Sequence, residues 1–422
     1  MSSDTPMNLP AMWEEAAREG RAWITPKRGA VTVSMLPRAV VTYDAAGRPV
    51  GAFVDGRTYR RGLDNRVLCK WGDREEAVPG RVRFRRDVTG AERAALLDGL
   101  AALAARAAAA AAAGTARLLQ SGPAVLFLER AAEWDAAALE ADGARLRALY
   151  PNRVSILPPD QYQAVVLQLT IGCPYNRCTF CSFYRSRRFA VRPEAAFREH
   201  VRGVKAFFGD SLLLRRSLFL GDANVLNLPV RILAPAFGLL HEEFPGLQEV
   251  NGRPGPWGIH AFMDAFTGSP KPTEAFSALA AAGLRRVYLG VETGHDPLLR
   301  FLEKPATAAR TEEAVRRLKG AGLSVGVIVM VGVGGERYAA GHVADTVPLL
   351  RRLALGPGDI LYLSEFVDQP GTLYRVRAAA EGVRPLSAEA IRAQAQAIRA
   401  GLATVWPSGP KVARYDIGEF LY

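Results

Sequence analysis

Three of the four cysteines lie within nine residues of one another and are the strongest candidates for chemistry in this chain. Cys173, Cys178 and Cys181 stand in the stretch LQLTIGCPYNRCTFCSFYR. Thiolates grouped in this way form a ligand set for a soft metal centre. Because no fourth cysteine is nearby, the set suits a [4Fe-4S] cluster in which one iron stays open.

Other uses of the cysteines fit the sequence less well. A disulfide framework needs an even, dispersed set and an export signal. The first residues include Asp4, Glu14 and Glu15 without an apolar core of signal-peptide type, which predicts a cytoplasmic protein. A structural zinc site has two separated cysteine pairs or added histidines, and the nearest histidine here is His200. Cys69, far upstream, is expected to be a small buried hydrophobe.

The elements around the cysteines follow an alternating pattern from residue 161 onward. The apolar run 164–171 predicts a buried strand that leads directly into the cysteine loop. Further strands are predicted at 211–220, 257–262, 286–291, 324–331 and 359–363, and helices at 193–208, 230–243, 271–282 and 387–403, with more helix before residue 320. Six such βα units predict an α/β fold with a partial (β/α)6 TIM-like barrel, and functional groups at the carboxyl ends of its strands.

Residues 1–160 have a different pattern and predict an accessory α+β domain. Alternating segments at 31–43 and 50–60 surround turn signals at 44–47 and 55–56, and a basic strand is predicted at 81–86. An alanine-rich helix is predicted to open near Thr89 and to include residues 101–113. No window holds about 18 strongly apolar residues, so no membrane span is expected. The predicted boundaries are 1–160, 161–370 for the barrel, and 371–422 for a C-terminal helical segment with an aromatic tail.

The cysteine loop resembles the cluster loop of radical S-adenosylmethionine (radical SAM) enzymes, including the aromatic Phe180 before the last cysteine. Its spacing of four then two residues differs from the usual three then two, and occurs in some branches of that superfamily. The segment 288–307, YLGVETGHDPLLRFLEKPAT, resembles members related to oxygen-independent coproporphyrinogen oxidases and to cobalamin-dependent radical enzymes. The resemblance covers residues 160–370. It implies a [4Fe-4S] cluster on the three cysteines and S-adenosylmethionine (SAM) as the second cofactor.

The resemblance also implies which strand ends contact SAM. Gly221 would let SAM approach the backbone closely. Asp222 would accept a hydrogen bond from the SAM ammonium group, and Asn224 would assist it. Glu292 would contact the ribose or the methionine end. Each of these residues also has an ordinary structural explanation, such as a helix cap or a turn.

Three further residues are implied to surround the adenine of SAM. Phe180 would flank the ring, and the backbone around Gly332 and Gly334 would line it. Lys304 is expected to form a surface ion pair, with contact to SAM or substrate as the alternative. Asp264 and Thr267 have no counterpart in the family, and a role on the substrate side is the hypothesis for them.

Composition bears on the partners. Arginine and lysine number 54 against 42 acidic residues, for a formal net charge of +12, and the segment 185–205 is strongly basic. This segment predicts attraction of an acidic electron donor of the flavodoxin or ferredoxin type, or of an anionic substrate. A solvated loop and helix face would have the same composition.

The resemblance predicts an enzyme that cleaves SAM reductively to a 5′-deoxyadenosyl radical, which takes hydrogen from a small-molecule substrate. The sequence does not identify that substrate. A non-catalytic iron–sulfur carrier or sensor is the first alternative. An RNA-modifying radical SAM enzyme is the second, and only the positive charge supports it.

Overall fold

The computed structural model describes residues 8–72, 83–120, 122–247, 249–250, 253–254, 258–369, 371–403 and 409–422. The chain forms two units. The first contains the chain up to Arg153 together with Gly203–Arg215 and Leu421–Tyr422, and the second contains Val154–Arg202 and Arg216–Phe420.

The first unit is built on a meander of antiparallel strands. Its strands are β1 (Ala22–Lys27), β2 (Ala30–Met35), β3 (Ala39–Asp44), β4 (Pro49–Val54), β5 (Arg57–Arg61), β6 (Val67–Gly72), β7 (Arg83–Val88) and the short β8 (Arg117–Leu118). The order in the sheet is β7-β6-β5-β4-β3-β2-β1-β8, with β8 parallel to β1. The predicted turns at 44–47 and 55–56 are confirmed as the β3–β4 and β4–β5 connections. Of the predicted strand 81–86, residues 81 and 82 lie outside the described residues.

Four helices accompany this sheet: α1 (Leu9–Arg18), α2 (Gly90–Ala112), α3 (Ala124–Ala132) and α4 (Ala136–Leu149). The buried face of α2 includes Leu97, Leu103 and Ala107, which belong to the same apolar cluster as Ile24 and Val33 of the sheet. Of the helices in the described ranges, α2 is the one long and apolar enough to cross a membrane, and half of its most apolar window is buried. A core helix of a soluble protein has the same properties, so this is weak evidence for a span.

A parallel sheet of seven strands forms the frame of the second unit. Its strands are β9 (Ala164–Gln168), β12 (Ser217–Gly221), β15 (Ile259–Met263), β16 (Leu284–Glu292), β17 (Ser324–Val331), β18 (Ile360–Glu365) and β19 (Lys411–Tyr415). Two small pairs, β10 (Thr170–Ile171) with β11 (Ala190–Val191) and β13 (Glu249–Val250) with β14 (Arg253–Pro254), complete the strands. The order β19-β18-β17-β16-β15-β12-β9 places successive strands side by side.

Helices connect these strands as the βα pattern predicts. They are α5 (Glu194–Phe208), α6 (Val230–Glu243), α7 (Thr273–Ala281), α8 (Asp296–Phe301), α9 (Ala308–Gly320), α10 (Gly335–Arg352), α11 (Leu373–Ala380) and α12 (Ala388–Ala403). The predicted α/β fold with a parallel sheet is confirmed, and within the described residues the end strands β9 and β19 do not pair, which leaves the barrel partial. The seventh strand was not predicted.

Candidate functional site

The three cysteines open on one cavity at the carboxyl ends of the parallel strands. Cys173, Cys178 and Cys181 line this cavity, which has a volume of about 210 Å³ and is called the cluster cavity below. The strands end next to one another in a parallel sheet, so the loops that follow them converge on this edge. Most of the other lining residues are apolar, and they come from several strands and from loops: Ile156, Phe180, Phe183, Phe262, Met263, Phe266, Ile328, Met330, Phe366, Tyr415 and Ile417.

Hydrogen bonds hold the loop that carries the cysteines. The sulfur of Cys173 accepts from the Asn176 N–H at 3.4 Å, and Asn224 Nδ2 lies 3.9 Å from the same sulfur. The guanidinium of Arg185 donates to the carbonyl oxygens of Cys178 at 2.7 Å and Cys181 at 3.1 Å. The turn between the last two cysteines is therefore fixed by a side chain from just beyond the loop.

The donor chemistry of this loop fits a cationic metal centre. Burial raises the pKa of all three thiols, to about 12 for Cys178 and about 11 for Cys181. Bound metal supplies the positive charge that ionises such thiols. Across the described ranges, no three His, Cys, Asp or Glu side chains converge as a metal-ligand set. The three thiols therefore share a cavity without converging on one point in this structure.

Asp222 lies behind the cavity wall. Its Oδ1 accepts from Gln168 Nε2 at 2.8 Å, and its Oδ2 accepts from the Gly172 N–H at 3.1 Å and lies 3.6 Å from Arg187 Nη1. Burial raises the pKa of Asp222 to about 6, against the opposing effects of these donors and of the Arg187 charge. The carboxylate thus holds the residue directly before Cys173, and it is not among the residues that line the cavity.

Glu292 and Lys304 form a buried ion pair in the cavity wall. The distance from Lys304 Nζ to Glu292 Oε1 is 2.6 Å, and the same ammonium donates to the Gly290 carbonyl oxygen at 2.6 Å. The two side chains are 7% and 9% exposed. Although burial alone would lower it, the pKa of Lys304 is raised by Glu292 and by the nearby Cys178. Lys304 does form an ion pair, but the expected surface location is wrong, because its partner is the buried Glu292 at the end of β16.

Asn224 and Asp264 form a second polar group in the same wall. Asn224 adopts a positive φ of 53° and donates to Asp264 Oδ2. Asp264 Oδ1 also accepts from Asn227 Nδ2 at 2.8 Å and from the Thr267 N–H at 2.6 Å. Asn224 therefore lines the cavity, and its contact with SAM stays a prediction. Asp264, which the sequence left unassigned, lines the cavity beside it.

The predicted glycines have structural roles outside the cavity lining. Gly332 has a φ of 86°, and a Cβ there would meet Ile391 Cγ1 at 3.0 Å. Gly334 has a φ of 79°, and a Cβ there would meet Leu298 Cδ1 at 2.5 Å. At Gly221 an added Cβ would meet only Val166, at an ordinary 3.5 Å. The positive φ at both positions after β17 favours glycine, and β17 reaches the cavity through Ile328 and Met330 instead.

Several lining residues were not found from the sequence. Tyr175 donates its hydroxyl to the Glu303 carbonyl oxygen at 2.6 Å and stacks edge-on with Phe266, with ring centroids 5.2 Å apart. Ser364 and Glu365, at the end of β18, also line the cavity. The position of Tyr175, an aromatic residue between the first two cysteines of the loop, was the sequence signal that could have identified it. No sequence signal pointed to the seventh strand, which brings Tyr415 to the cavity.

The basic segment after the cysteines divides into two kinds of residue. Arg185 is bonded to the loop carbonyls, and the Arg187 side chain is 9% exposed beside Asp222 and over the Tyr184 ring. Arg188 is exposed. Arg185, although exposed, and the largely buried Arg187 therefore both contact groups that hold the cysteine loop.

Part of the chain matches a known protein family. Residues 167–346 match the family model of the Radical SAM superfamily. Searches of curated protein sequences give no match.

Solved structures similar to the chain include coproporphyrinogen III oxidase (HemN) from Escherichia coli, at 16% identity and a TM-score of 0.43, with 57% of this chain and 52% of that one covered. They also include the radical S-adenosylmethionine methyltransferase TsrM from Kitasatospora setae, at 20% identity and a TM-score of 0.38, with 52% and 37% covered. The chain thus spans about half the length of the first and less of the second. Likenesses this weak carry no part of the assignment.

Proposed function

We propose that this chain, a radical SAM protein through its residues 167–346, is an enzyme that cleaves S-adenosylmethionine reductively at a [4Fe-4S] cluster. The observation that carries the proposal is the placement of all three cysteines of one loop around a single, largely apolar cavity at the carboxyl ends of the strands. When bound, the cluster and SAM supply the chemistry: one electron breaks a carbon–sulfur bond of SAM, giving methionine and a 5′-deoxyadenosyl radical that takes hydrogen from a substrate.

The chain's own residues have three tasks in this proposal. Cys173, Cys178 and Cys181 bind the cluster, and the N–H donors on the Cys173 sulfur stabilise the thiolate form. Arg185 keeps the last two cysteines at a fixed separation through their carbonyl oxygens. The aromatic and aliphatic walls exclude water, which protects a reactive radical from side reactions.

SAM contacts are proposed for the polar groups that face the cavity. Glu292 and Asn224 offer a carboxylate and an amide to the ribose and the amino-acid end of SAM, and Phe180 offers an apolar surface to the adenine. The sequence-based role of Asp222 as acceptor from the SAM ammonium stays a prediction, and its observed partners support a positioning role for the cluster loop. The same holds for backbone contacts near Gly332 and Gly334.

Partners and setting complete the proposal. Superfamily chemistry requires a reductant and a substrate, and we assign these to a flavodoxin- or ferredoxin-type donor and a small molecule. The proposed setting is the cytoplasm. Residues 1–160 are proposed as the accessory domain of the enzyme, with the barrel at 161–370 and the C-terminal segment at 371–422.

Anaerobic reconstitution with iron and sulfide tests the cluster assignment. We expect about four iron and four sulfide per chain, and loss of both when Cys173, Cys178 or Cys181 is replaced by alanine. Cys69→Ala is the matched control, because Cys69 is fully buried in the first unit, and it should load normally. Full loading of Cys178→Ala would refute the assignment.

A further inference from the structure

A second cavity lies beside the cluster cavity in the same unit. It has a volume of about 400 Å³ and lies between the segment that follows β15 and the first half of α9. Met263, Asp264 and Phe266 line both cavities. This cavity is called the lysine cavity below, because Lys271 lines it.

Lys271 is a buried cation with no counter-charge. The residue is 8% exposed, and none of the side chains in the described ranges forms an ion pair or a hydrogen bond with its ammonium group. Burial lowers its pKa to about 8. A buried charge is costly unless it is paired, so an arrangement of this kind is maintained most readily where a ligand supplies the partner.

Lys304 provides an internal comparison. It is as buried as Lys271, at 7%, yet its ammonium lies 2.6 Å from the Glu292 carboxylate and its pKa is raised. The two lysines differ in the presence of an acid: burial acts to lower the pKa of both, and only Lys304 has a carboxylate that outweighs this effect. Within the described residues, Lys271 therefore lacks the carboxylate partner that Lys304 has in Glu292.

The other charged groups at the lysine cavity do not supply that charge. Glu313 is held by Arg316 and by Arg317, whose Nη1 also donates to the Lys271 carbonyl oxygen at 3.1 Å. Asp264 accepts from amide, hydroxyl and backbone donors on its own side of the wall. Arg310, in the first turn of α9, lines the cavity without an acid partner in the described part of the chain.

We propose that the lysine cavity binds the carboxylate or phosphate group of a small molecule, with Lys271 and Arg310 as its cationic partners. The first turn of α9, which carries Arg310, forms one wall of this cavity. The proposal does not depend on SAM cleavage, so cluster-free protein should bind the anion.

The NMR signals of methylated lysines can report anion binding at this site. The chain has only seven lysines, so reductive methylation with ¹³C-formaldehyde gives few NMR signals. Lys271→Arg removes one signal and assigns it. We expect the Lys271 signal to shift when inorganic phosphate or acetate is added, and its pKa to rise by about 1 or more as the anion pairs with it.

Comparing the effects of phosphate and acetate distinguishes the two candidate ligand groups, phosphate and carboxylate. A shift with phosphate alone assigns the site to phosphate groups, and a shift with acetate alone assigns it to carboxylates. The exposed Lys411 is the control signal within the same spectrum. Shifts at Lys271 no larger than those at Lys411, with both anions, would overturn the proposal.

Two variants give an independent measurement. Arg310→Gln, at an exposed position, should fold normally and weaken anion binding by about tenfold, because one charged hydrogen-bond donor is lost. Lys271→Met replaces a buried unpaired charge by an apolar group, so the variant should be at least as heat-stable as the wild type. Added anion should raise the melting temperature of the wild type and not that of Lys271→Met. Equal rises in both would contradict the assignment.

Discussion

Glu292 combines an unfavourable backbone conformation with a buried charged side chain. It ends the central strand β16 with a φ of 63°, a conformation that costs a residue with a side chain about 1–3 kcal/mol. Its carboxylate is buried against Lys304. A position that combines an unfavourable backbone and a buried charge pair is stable only when its surroundings fix it, and such positions cluster at functional sites.

Breaking this pair from one side should destabilise the protein strongly. Lys304→Met leaves the Glu292 carboxylate buried without a cation, so we expect a loss of about 3–5 kcal/mol in the free energy of unfolding. The double variant Glu292→Gln/Lys304→Met should recover most of that loss. Urea unfolding of cluster-free protein measures both.

The exposed pair Arg384–Glu336 provides the matched control for the buried one. Arg384→Met should change the free energy of unfolding by no more than about 1 kcal/mol. A Lys304→Met variant as stable as Arg384→Met would contradict the buried-pair interpretation.

Asp222 should make stability depend on pH in a defined direction. Its pKa is about 6 in the folded protein against 3.8 as the ordinary value, so the folded state holds the proton more tightly. The contribution of Asp222 to stability is then complete below about pH 4 and falls by about 3 kcal/mol as the pH rises through 6. The measurement is the difference in unfolding free energy between wild type and Asp222→Asn from pH 4 to pH 7. A difference that stays constant, or that grows in favour of the wild type as the pH rises, would show that the folded state does not favour the protonated acid.

At the scale of elements, the cluster loop depends on Arg185 for its shape. Lysine at this position keeps the charge but cannot reach two carbonyl oxygens with a planar fork. Arg185→Lys should therefore retain less iron per chain after gel filtration than the wild type. Arg188→Lys, at the exposed neighbour, should retain as much as the wild type. If both variants retain the same amount of iron, Arg185 is not needed to hold the loop, and attraction of a partner would explain these arginines better.

The βα pattern predicted most of the second unit because its strands are apolar and its helices amphipathic. The predicted strand at 324–331 and helix at 230–243 have the bounds that the structure shows. The predicted strand 211–220 begins too early, because residues 209–214 form a short 3-10 helix. β19, with the sequence KVARY, has exposed and half-buried positions and no apolar run, so its pairing with β18 could not be read from composition.

The burial of charged side chains at the site could not be predicted from the sequence. The cysteine spacing pointed to the loop at this cavity, and Asn224 and Glu292, chosen at predicted strand ends, line the same cavity, while their contacts with SAM stay predictions. Lys304 and Arg187 look like surface cations in a sequence, because their partners come from distant segments of the chain. Only the fold brings Glu292 and Asp222 to them.

At the scale of the whole molecule, the described residues form two units with separate cores, and the cluster cavity lies entirely in the second. The proposed chemistry therefore needs the second unit for its cofactors. The lysine cavity belongs to that unit as well.

The central claim is that this chain cleaves SAM at a cluster held by Cys173, Cys178 and Cys181. The most direct measurement is the anaerobic incubation of reconstituted protein with SAM and dithionite, followed by chromatography for 5′-deoxyadenosine and methionine. We predict that the wild type and Cys69→Ala form both products, and that Cys178→Ala forms neither. Release of no 5′-deoxyadenosine by protein that carries a full cluster and binds SAM would contradict the account.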